Sequence, residues 1–394
     1  MASINLQGDT SGAITISAPS VAGSNTLTLP ATTQTLATQN ALGVRNLIIN
    51  GDMRIAQRGT SVTGITSSGY YTVDRFTLFA TTAGTWTHTQ DTDVPTGQGF
   101  SKSFKMQCTT ANASLSSTSG LFVRQRIEAQ NLQHIKKGTA SAESLTYSFW
   151  VKSNKTGTYI AEIFDDDNVR QISKAYTINA ADTWEKKVIT FAGDTSGSLP
   201  DDNGSGFSVA LWFVAGTNYT SNGTLNTSWQ STNVPQRAVG QVNLADSTSN
   251  YINITGVQLE VGDTATPFEH RPWDDELIRC MRYYEKCINY STVEPAGGYT
   301  GVEWVDIPRD KTANLAIKDI KYKVRKRAAA TVNFWSLNQT VNQFGNVYSG
   351  VDIGNAGAIW GSEQGFTWRN ESGGTVSAST HNGLAVLWAA SSEL

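Results

Sequence analysis

The sequence predicts an all-β protein with one short helix, and three observations support this. Apolar and polar residues alternate in many short runs, which glycine, asparagine and aspartate turns separate. Charged residues make up only 16% of the 394 residues and aromatic residues make up 10%, a balance that favours a packed chain over a disordered one. Helical periodicity marks one short stretch, 272–288. We therefore expect β-sheets to form nearly all of the fold.

The predicted helix follows a strand at 252–261, in which apolar side chains alternate with a slip at Thr255-Gly256. Such a slip indicates a β-bulge. Pro272 lacks the N–H that a first helical turn leaves unpaired, and the acidic residues after it favour a helix N-terminus. An apolar stripe at helical spacing then consists of Leu277, Cys280, Met281 and Tyr284. This junction separates two predicted β domains.

Four segments follow from this organisation. They are an N-terminal β segment (1–44), a large antiparallel β-sandwich (45–271), the linking helix (272–288) and a smaller C-terminal β-sandwich (289–394). The first segment has too little apolar surface for a core of its own. It therefore needs partners, either the next domain or copies of itself from other chains, unless it is a loosely ordered leader.

Charge, hydropathy and motifs exclude several functions. The formal net charge is −3, which provides no positive field for nucleic acid, and no run approaches the ~20 apolar residues of a membrane span. We therefore expect neither nucleic-acid binding nor membrane insertion. No zinc, phosphate-loop or nucleotide motif occurs, and the scattered histidines offer no base for a catalytic serine. We predict no catalytic residues and no cofactor, a structural calcium excepted.

Several sequence blocks carry a resemblance to a known family. They are NLIINGDMRIAQRG at 46–59, YTVDRF at 71–76, VQLEVGDTATPFEHRP at 257–272 and ELIRCMRYYEK at 276–286. In this order they resemble the tail-fibre and collar-fibre proteins of bacteriophages. The stretch SLTYSFWVKSNKTGTYIAEIFDDD at 144–167 looks like the central strands of carbohydrate-binding jelly rolls.

The resemblance implies a non-enzymatic structural protein of the virion. It implies a jelly-roll sandwich over 45–271, a homotrimer, attachment of 1–44 to other tail or collar proteins, and a C-terminal domain that binds a glycan on the host surface. Two alternatives stay open. One is a collar, whisker or head-decorating fibre without a receptor role, and the other is a depolymerase that cuts the host's surface polysaccharide.

Aromatic side chains are the candidate glycan-binding residues, because their faces can stack on sugar rings. The candidates in the C-terminal domain are Trp335, Phe344, Tyr348, Trp360 and Trp368. Those in the sandwich are Trp212, Tyr219 and Trp229. Aromatic residues also dominate protein cores, so each of these side chains has a structural alternative.

Charged segments provide two further candidates. Lys321, Lys323 and Arg325 alternate with apolar residues, so they would share one strand face and could bind an anionic glycan. The alternative is a solvated edge strand. Two acidic loops could hold a structural calcium, through Asp165, Asp167, Asp201 and Asp202. Solvated turns are the alternative there, because neither loop has the spacing of an EF-hand.

Overall fold

In the computed structural model, the chain forms two compact units, 1–42 and 43–394. The structure describes residues 3–7, 12–17, 45–295, 301–307, 316–347, 351–370 and 382–394. In the first unit, strands β1 (Ser3–Gln7) and β2 (Ala13–Ser17) pair in antiparallel fashion, with Ser3 opposite Ser17.

The second unit contains a sandwich of two antiparallel sheets. Its strands are β3 (Ser61–Ile65), β4 (Gly69–Tyr70), β5 (Thr77–Thr81), β6 (Thr85–Asp91), β7 (Ser103–Thr110), β8 (Gly120–Glu128), β9 (Leu145–Ser153), β10 (Gly157–Asp165), β11 (Arg170–Ile178), β12 (Glu185–Phe191), β13 (Ser205–Ala215), β14 (Gln230–Ser231) and β15 (Tyr251–Val261). The seven-stranded sheet has the order β14-β11-β10-β13-β8-β5-β4, and the six-stranded sheet has the order β12-β9-β15-β7-β6-β3. Short 3₁₀ helices span Ala129–Ile135, Val234–Gln236 and Leu244–Asp246, and α1 spans Thr217–Thr220.

The main core lies between these two sheets, and alternation along the strands produces it. In β9, the side chains of Tyr147, Phe149 and Val151 belong to the core cluster and are at most 3% exposed. The residues between them point to the outer face of the sheet, because successive side chains alternate across a strand. The predicted all-β fold with antiparallel sheets is confirmed.

The predicted bulge in β15 is present. The register of β15 against β9 shifts between Thr255 and Gln258. Gly256 adopts a φ of 61° there, and a Cβ atom at this position would lie 2.6 Å from the ring of Phe100. Both the backbone conformation and the close ring therefore require glycine at the bulge.

The predicted helix is shorter in the structure than in the sequence pattern. Helix α2 spans Trp273–Met281 and follows Pro272 directly. Tyr284 was expected on the helical stripe, but it begins β16 (Tyr284–Lys286), where it lies opposite Ser391. Pairing with the last strand thus replaces helical hydrogen bonds there. No helix in the described ranges is long and apolar enough to span a bilayer.

The remaining strands form an eight-stranded C-terminal sheet together with β16, and this sheet has its own core. They are β17 (Glu303–Ile307), β18 (Ala316–Lys321), β19 (Thr331–Trp335), β20 (Gln343–Asn346), β21 (Asp352–Ile359), β22 (Gly365–Asn370) and β23 (Asn382–Ser391). The order is β16-β23-β20-β21-β22-β18, and β17 and β19 also pair with β23. Lys318 Nζ lies 2.7 Å from Glu303 Oε2, so an ion pair joins β18 to β17.

The blocks that carry the family resemblance meet in one buried hydrogen-bond network. Asn46 Nδ2 donates to the carbonyl of Val257 at 3.1 Å. The backbone N–H of Asn50 donates to Glu276 in α2, and Asn50 Nδ2 donates to the carbonyl of Asp74 at 3.0 Å. Residues 46–50 thus bind the bulged strand, helix α2 and the segment around Asp74, which lie far from one another in the sequence.

Buried ion pairs join the sandwich to the C-terminal sheet. Glu128, at the end of β8, accepts from Arg282 Nε at 2.8 Å and from the hydroxyl of Tyr283. Arg75 is 0% exposed, pairs with Glu393, and lies 3.3 Å from the centre of the Tyr283 ring. A buried charge that loses its partner is costly. We therefore expect the two sheet systems of 43–394 to unfold together.

Candidate functional site

The C-terminal aromatic candidates lie in different environments. Phe344 and Trp368 are 0% exposed and Trp335 is 3% exposed, so these rings pack inside the domain and keep no free face for a sugar. Tyr348 lies outside the described residues. Trp360 is 76% exposed, in the connection between β21 and β22. Its ring is therefore accessible to a ligand.

Trp212 points to the outer face of the seven-stranded sheet, yet it is buried there. Its ring centre lies 4.5 Å from that of Phe122 and 5.0 Å from that of Tyr219. Its Nε1 donates to Glu162 Oε2 at 3.0 Å. The segment that carries α1 and Tyr219 covers Trp212, and Tyr219 itself is half-buried.

An ion pair closes this covered region. Arg237 donates to both carboxylate oxygens of Glu162 at 2.8 Å, and its guanidinium lies 5.3 Å from the centre of the Trp212 ring. The remaining sandwich candidate, Trp229, is half-buried against Phe207 and donates its Nε1 to a backbone carbonyl at 2.7 Å. These contacts stabilise the fold and leave no free face on Trp212, whereas Trp229 stays partly exposed and sugar binding at it stays a prediction.

The predicted basic face is only partly a strand. Lys321, Lys323 and Arg325 are all exposed, as the alternation predicts, but β18 ends at Lys321. Arg325 also pairs with Glu363. The three cations therefore do not form one strand face, because the chain leaves the sheet after the first of them. Binding of an anionic glycan at these residues stays a prediction.

A lysine occupies the centre of the first acidic loop. Asp165 is fully buried, and its Oδ2 lies 2.9 Å from Lys137 Nζ. The same ammonium lies 3.4 Å from Asp194 Oδ2 and donates to the carbonyl of Ser196 at 2.6 Å. This buried cation supplies the positive charge that a calcium ion would bring.

The other acidic residues lie at the surface. Asp167, Asp201 and Asp202 are exposed. Partial burial and the nearby carboxylates of Asp165 and Asp202 raise the pKa of Asp167, so the two predicted loops do come together. Among the described residues, no group of three or more His, Cys, Asp or Glu side chains is placed to hold a metal ion. Calcium binding stays a prediction.

Sequence reasoning missed the outer face of the six-stranded sheet. Trp150, on β9, lies opposite Thr255 of β15 and Lys186 of β12. It points away from the core and is half-buried. The alternation of LTYSFWVKS contains this signal, because its other large residues occupy the inward positions and the tryptophan occupies an outward one.

Trp184 and two charged side chains lie beside Trp150. Trp184 directly precedes β12, is half-buried, and donates its Nε1 to Asp93 Oδ1 at 3.0 Å. Lys152 Nζ donates to Asp93 Oδ2 at 2.7 Å. Trp184 lies two residues before Lys186, the residue that pairs with Trp150, so both indoles lie near this edge of the sheet. The carboxylate thus orients both an indole and an ammonium.

Tyr251 extends this surface along β15. Its hydroxyl donates to Asp182, and burial together with that hydrogen bond raises the pKa of Tyr251. The phenol therefore stays neutral and the ring stays fixed. We call the set Trp150, Trp184, Tyr251, Lys152 and Asp93 the Trp150 surface. It combines aromatic faces with charged hydrogen-bonding groups, the two features that bind sugar rings and their hydroxyls.

A polar cleft of about 440 Å³ lies elsewhere, between the sandwich and the C-terminal sheet. It is lined by Gln130, Asp202, Asn203, Arg282, Arg325, Arg327 and Glu363. Its arginines already have partners: Arg282 binds Glu128, Arg325 binds Glu363, and Arg327 donates to backbone carbonyls. The cleft therefore offers few free donors to a ligand.

Comparison with known proteins gives similarities of fold only. No family model matches the chain, and no curated protein matches it. Tailspike protein 4 of bacteriophage CBA120, in its enzymatically active domain, is 14% identical with a TM-score of 0.28 over 55% of this chain and 21% of that chain. This chain thus spans about a fifth of that structure.

Two carbohydrate-binding modules are also similar. The family 11 module from Clostridium thermocellum, solved with a mixed-linked tetrasaccharide, is 11% identical with a TM-score of 0.25 over 53% of this chain and 99% of that chain. The module TmCBM61, solved with β-1,4-galactotriose, is 9% identical with a TM-score of 0.27 over 55% and 99%. At these scores the likenesses carry no conclusion about function.

Proposed function

We propose that this chain binds carbohydrate without cleaving it, and that a sugar ring stacks on the Trp150 surface. The observation that carries the proposal is the outward, half-buried position of Trp150, beside Trp184 and the charged groups of Lys152 and Asp93. Stacking on the C–H face of a sugar removes apolar ring surface from water. Lys152 and Asp93 would bind the sugar hydroxyls, and Asp93 is held in place because it accepts from both Trp184 and Lys152.

A second contact with carbohydrate would lie in the C-terminal domain, for which the family resemblance implies binding of a host glycan. Trp360 supports this, because its ring is 76% exposed and its backbone is held at a φ of 51°. A large apolar side chain in such a position gains little for the fold. An exposed ring on a turn is well placed to contact a surface polysaccharide.

We place this binding in a bacteriophage fibre. The support is the order of the sequence blocks at 46–59, 71–76 and 257–286. In this proposal the chain is a homotrimer in the virion, 1–44 attaches it to other tail or collar proteins, and the sugar-binding surfaces face the host. A collar, whisker or head-decorating fibre and a depolymerase are the rival functions.

The first test is affinity electrophoresis of the full chain through gels that contain soluble glucan, xylan or galactan. We expect retardation by at least one polysaccharide, and a loss of about tenfold or more in affinity for Trp150→Ala and Trp184→Ala. Trp273→Ala is the matched control, because Trp273 is 37% exposed on α2 and outside the Trp150 surface. Equal retardation of all variants would remove the Trp150 surface from the proposal.

Three further measurements separate the rivals. Release of reducing ends from purified envelope polysaccharide would support the depolymerase. A single species at the chain mass of 42.5 kDa in light scattering would contradict the trimer. Immunogold labelling of phage particles with antibody against 291–394 would place the domain either at the free ends of tail appendages, as we expect, or at the collar or head.

A further inference from the structure

The outer face of the seven-stranded sheet carries an arginine, Arg124, for which the described part of the chain provides no hydrogen-bond acceptor and no carboxylate. One row of paired residues runs across five strands: Tyr70 lies opposite Thr77, Thr77 opposite Arg124, Arg124 opposite Ala210, and Ala210 opposite Glu162. Paired residues project on the same face. Arg124 therefore stands in the middle of this row, between the ring of Tyr70 and the Glu162 carboxylate.

Arg124 differs from the two arginines closest to it. Arg237 is held by Glu162 through two hydrogen bonds of 2.8 Å, and Arg126 donates to the carbonyl of Leu394. Arg124 is half-buried, and within the described ranges its side chain makes no hydrogen bond and no ion pair. Its Nε is fully buried without an acceptor.

The surroundings of Arg124 are unfavourable for a lone cation. Burial, and then the charge of Arg126, lower the pKa of Arg124, while Asp166 acts in the opposite direction and Arg237 adds repulsion. Asp166 is itself engaged, because it accepts from the hydroxyl of Ser208 at 2.7 Å. Three guanidinium groups thus share this part of the face, and among the described residues only Arg237 is paired with a carboxylate.

We propose that Arg124 marks a second binding site, on the outer face of the seven-stranded sheet, which takes an oxyanion carried by an acidic glycan. A guanidinium binds a carboxylate, sulfate or phosphate group through two parallel hydrogen bonds. Such a group would satisfy Arg124 and relieve its repulsion with Arg126. Tyr70, which is half-buried in the same row and donates its hydroxyl to the carbonyl of Leu394, would border the sugar that carries it.

This site is separate from the Trp150 surface, which lies on the opposite sheet. The two sites therefore recognise different features of a polysaccharide, its apolar ring faces at one and its acidic groups at the other. The second proposal does not depend on the first, and each can fail alone.

The test uses the full chain and four probes at matched ionic strength, because screening weakens any charge interaction. The probes are trigalacturonate, a sulfated oligosaccharide, inorganic phosphate and the neutral sugar galactotriose. Isothermal titration of the wild type is compared with Arg124→Gln, Arg124→Lys and Trp150→Ala. We expect Arg124→Gln to weaken binding of the anionic probes about tenfold to a hundredfold. Arg124→Lys should retain part of this binding, since lysine keeps the positive charge but cannot donate two parallel hydrogen bonds to one oxyanion.

Galactotriose provides the internal comparison, because its affinity should not change in Arg124→Gln. Binding of trigalacturonate alone would identify a carboxylate ligand, whereas binding of the sulfated sugar or phosphate alone would identify an ester. The proposal is overturned if no anionic probe binds, or if Trp150→Ala abolishes anion binding while Arg124→Gln retains it. Arg124→Gln should fold normally, because it removes a charge that has no paired carboxylate and gives up only the 5.7 Å contact of the guanidinium with the Phe122 ring.

Discussion

Each outer face of the sandwich carries a tryptophan that points away from the core, but the two side chains differ in burial. Trp150 on the six-stranded sheet and Trp212 on the seven-stranded sheet both point away from the core. Trp150 stays half-buried, but the chain that follows β13 folds over Trp212 and leaves it 0% exposed. One ring is available to a ligand, and the other belongs to a small second core.

The difference shows that strand alternation fixes the direction of a side chain and that the connecting segments fix its role. β13 is followed by α1 and by Arg237, which pairs with Glu162 above the ring of Trp212. β9 is followed directly by β10 in the other sheet, so nothing in that connection covers Trp150.

The largest effect should come from the covered tryptophan. Trp212→Ala should lower the free energy of unfolding by about 3–5 kcal/mol, because it leaves a cavity and removes the hydrogen bond to Glu162. Trp150→Ala should lower it by roughly 1 kcal/mol or less. Urea unfolding followed by circular dichroism measures both. Equal losses in the two variants would contradict the distinction between the faces.

The second largest loss of stability should come from breaking the Arg237–Glu162 ion pair beside Trp212. Glu162→Gln leaves Arg237 buried without a counter-charge, which should cost about 3 kcal/mol in urea unfolding. Glu363→Gln is the matched control, since the Arg325–Glu363 pair is exposed and should contribute less than about 1 kcal/mol. If both substitutions lowered the free energy of unfolding equally, the segment that packs over Trp212 would not depend on the Arg237–Glu162 pair.

The free energy of unfolding should depend on pH through His88, which lies on the inner face of the six-stranded sheet. Burial lowers the pKa of His88 to about 3, below the ordinary value of about 6.5. Its contribution to stability is therefore complete above pH 6.5 and is lost as the pH falls towards 3, because the unfolded chain binds the proton first. The slope should approach about 1.4 kcal/mol per pH unit.

Urea unfolding across this pH range should show a shallower decline in His88→Gln than in the wild type. The difference between the two curves removes the contribution of carboxyl groups that titrate in the same window. His134→Gln serves as the comparison, because His134 is exposed and its partial burial lowers its pKa in the same direction as that of His88, so it should change the slope less than His88→Gln does.

The smallest effect on stability should come from the exposed ring of the C-terminal sheet. Trp360→Ala should change the free energy of unfolding by no more than about 0.5 kcal/mol, since the ring makes few contacts with the fold. Its effect should instead appear as weaker adhesion of the chain to host envelope material in a pull-down. A large loss of stability would show that Trp360 supports the sheet.

Much of the fold was predictable from periodicity and turn chemistry. The sequence indicates the bulge at Thr255-Gly256 and a helix after Pro272, because the shift in period, the proline and the acidic first turn are local signals. The helix end was predicted too late. Tyr284 fits a helical stripe, but its pairing with Ser391 is a contact across more than a hundred residues, and no local pattern reports it.

The candidate surface was less predictable. The aromatic residues were chosen by composition, and burial of Trp212 and Trp368 depends on what packs over them. Trp150 could have been found by applying the period of two to β9 and asking which large side chain faces outward. The lack of a partner for Arg124 depends on pairing between distant strands, which a single sequence does not show.

The ammonium of Lys137, held by Asp165, Asp194 and the carbonyl of Ser196, has a consequence for how the protein responds to its medium. A cation that is covalently tethered stays at the same local concentration whatever the surroundings contain. A metal ion in that place would be lost on dilution or to a chelator. We therefore expect the fold around this loop to persist across media that differ widely in their content of divalent ions.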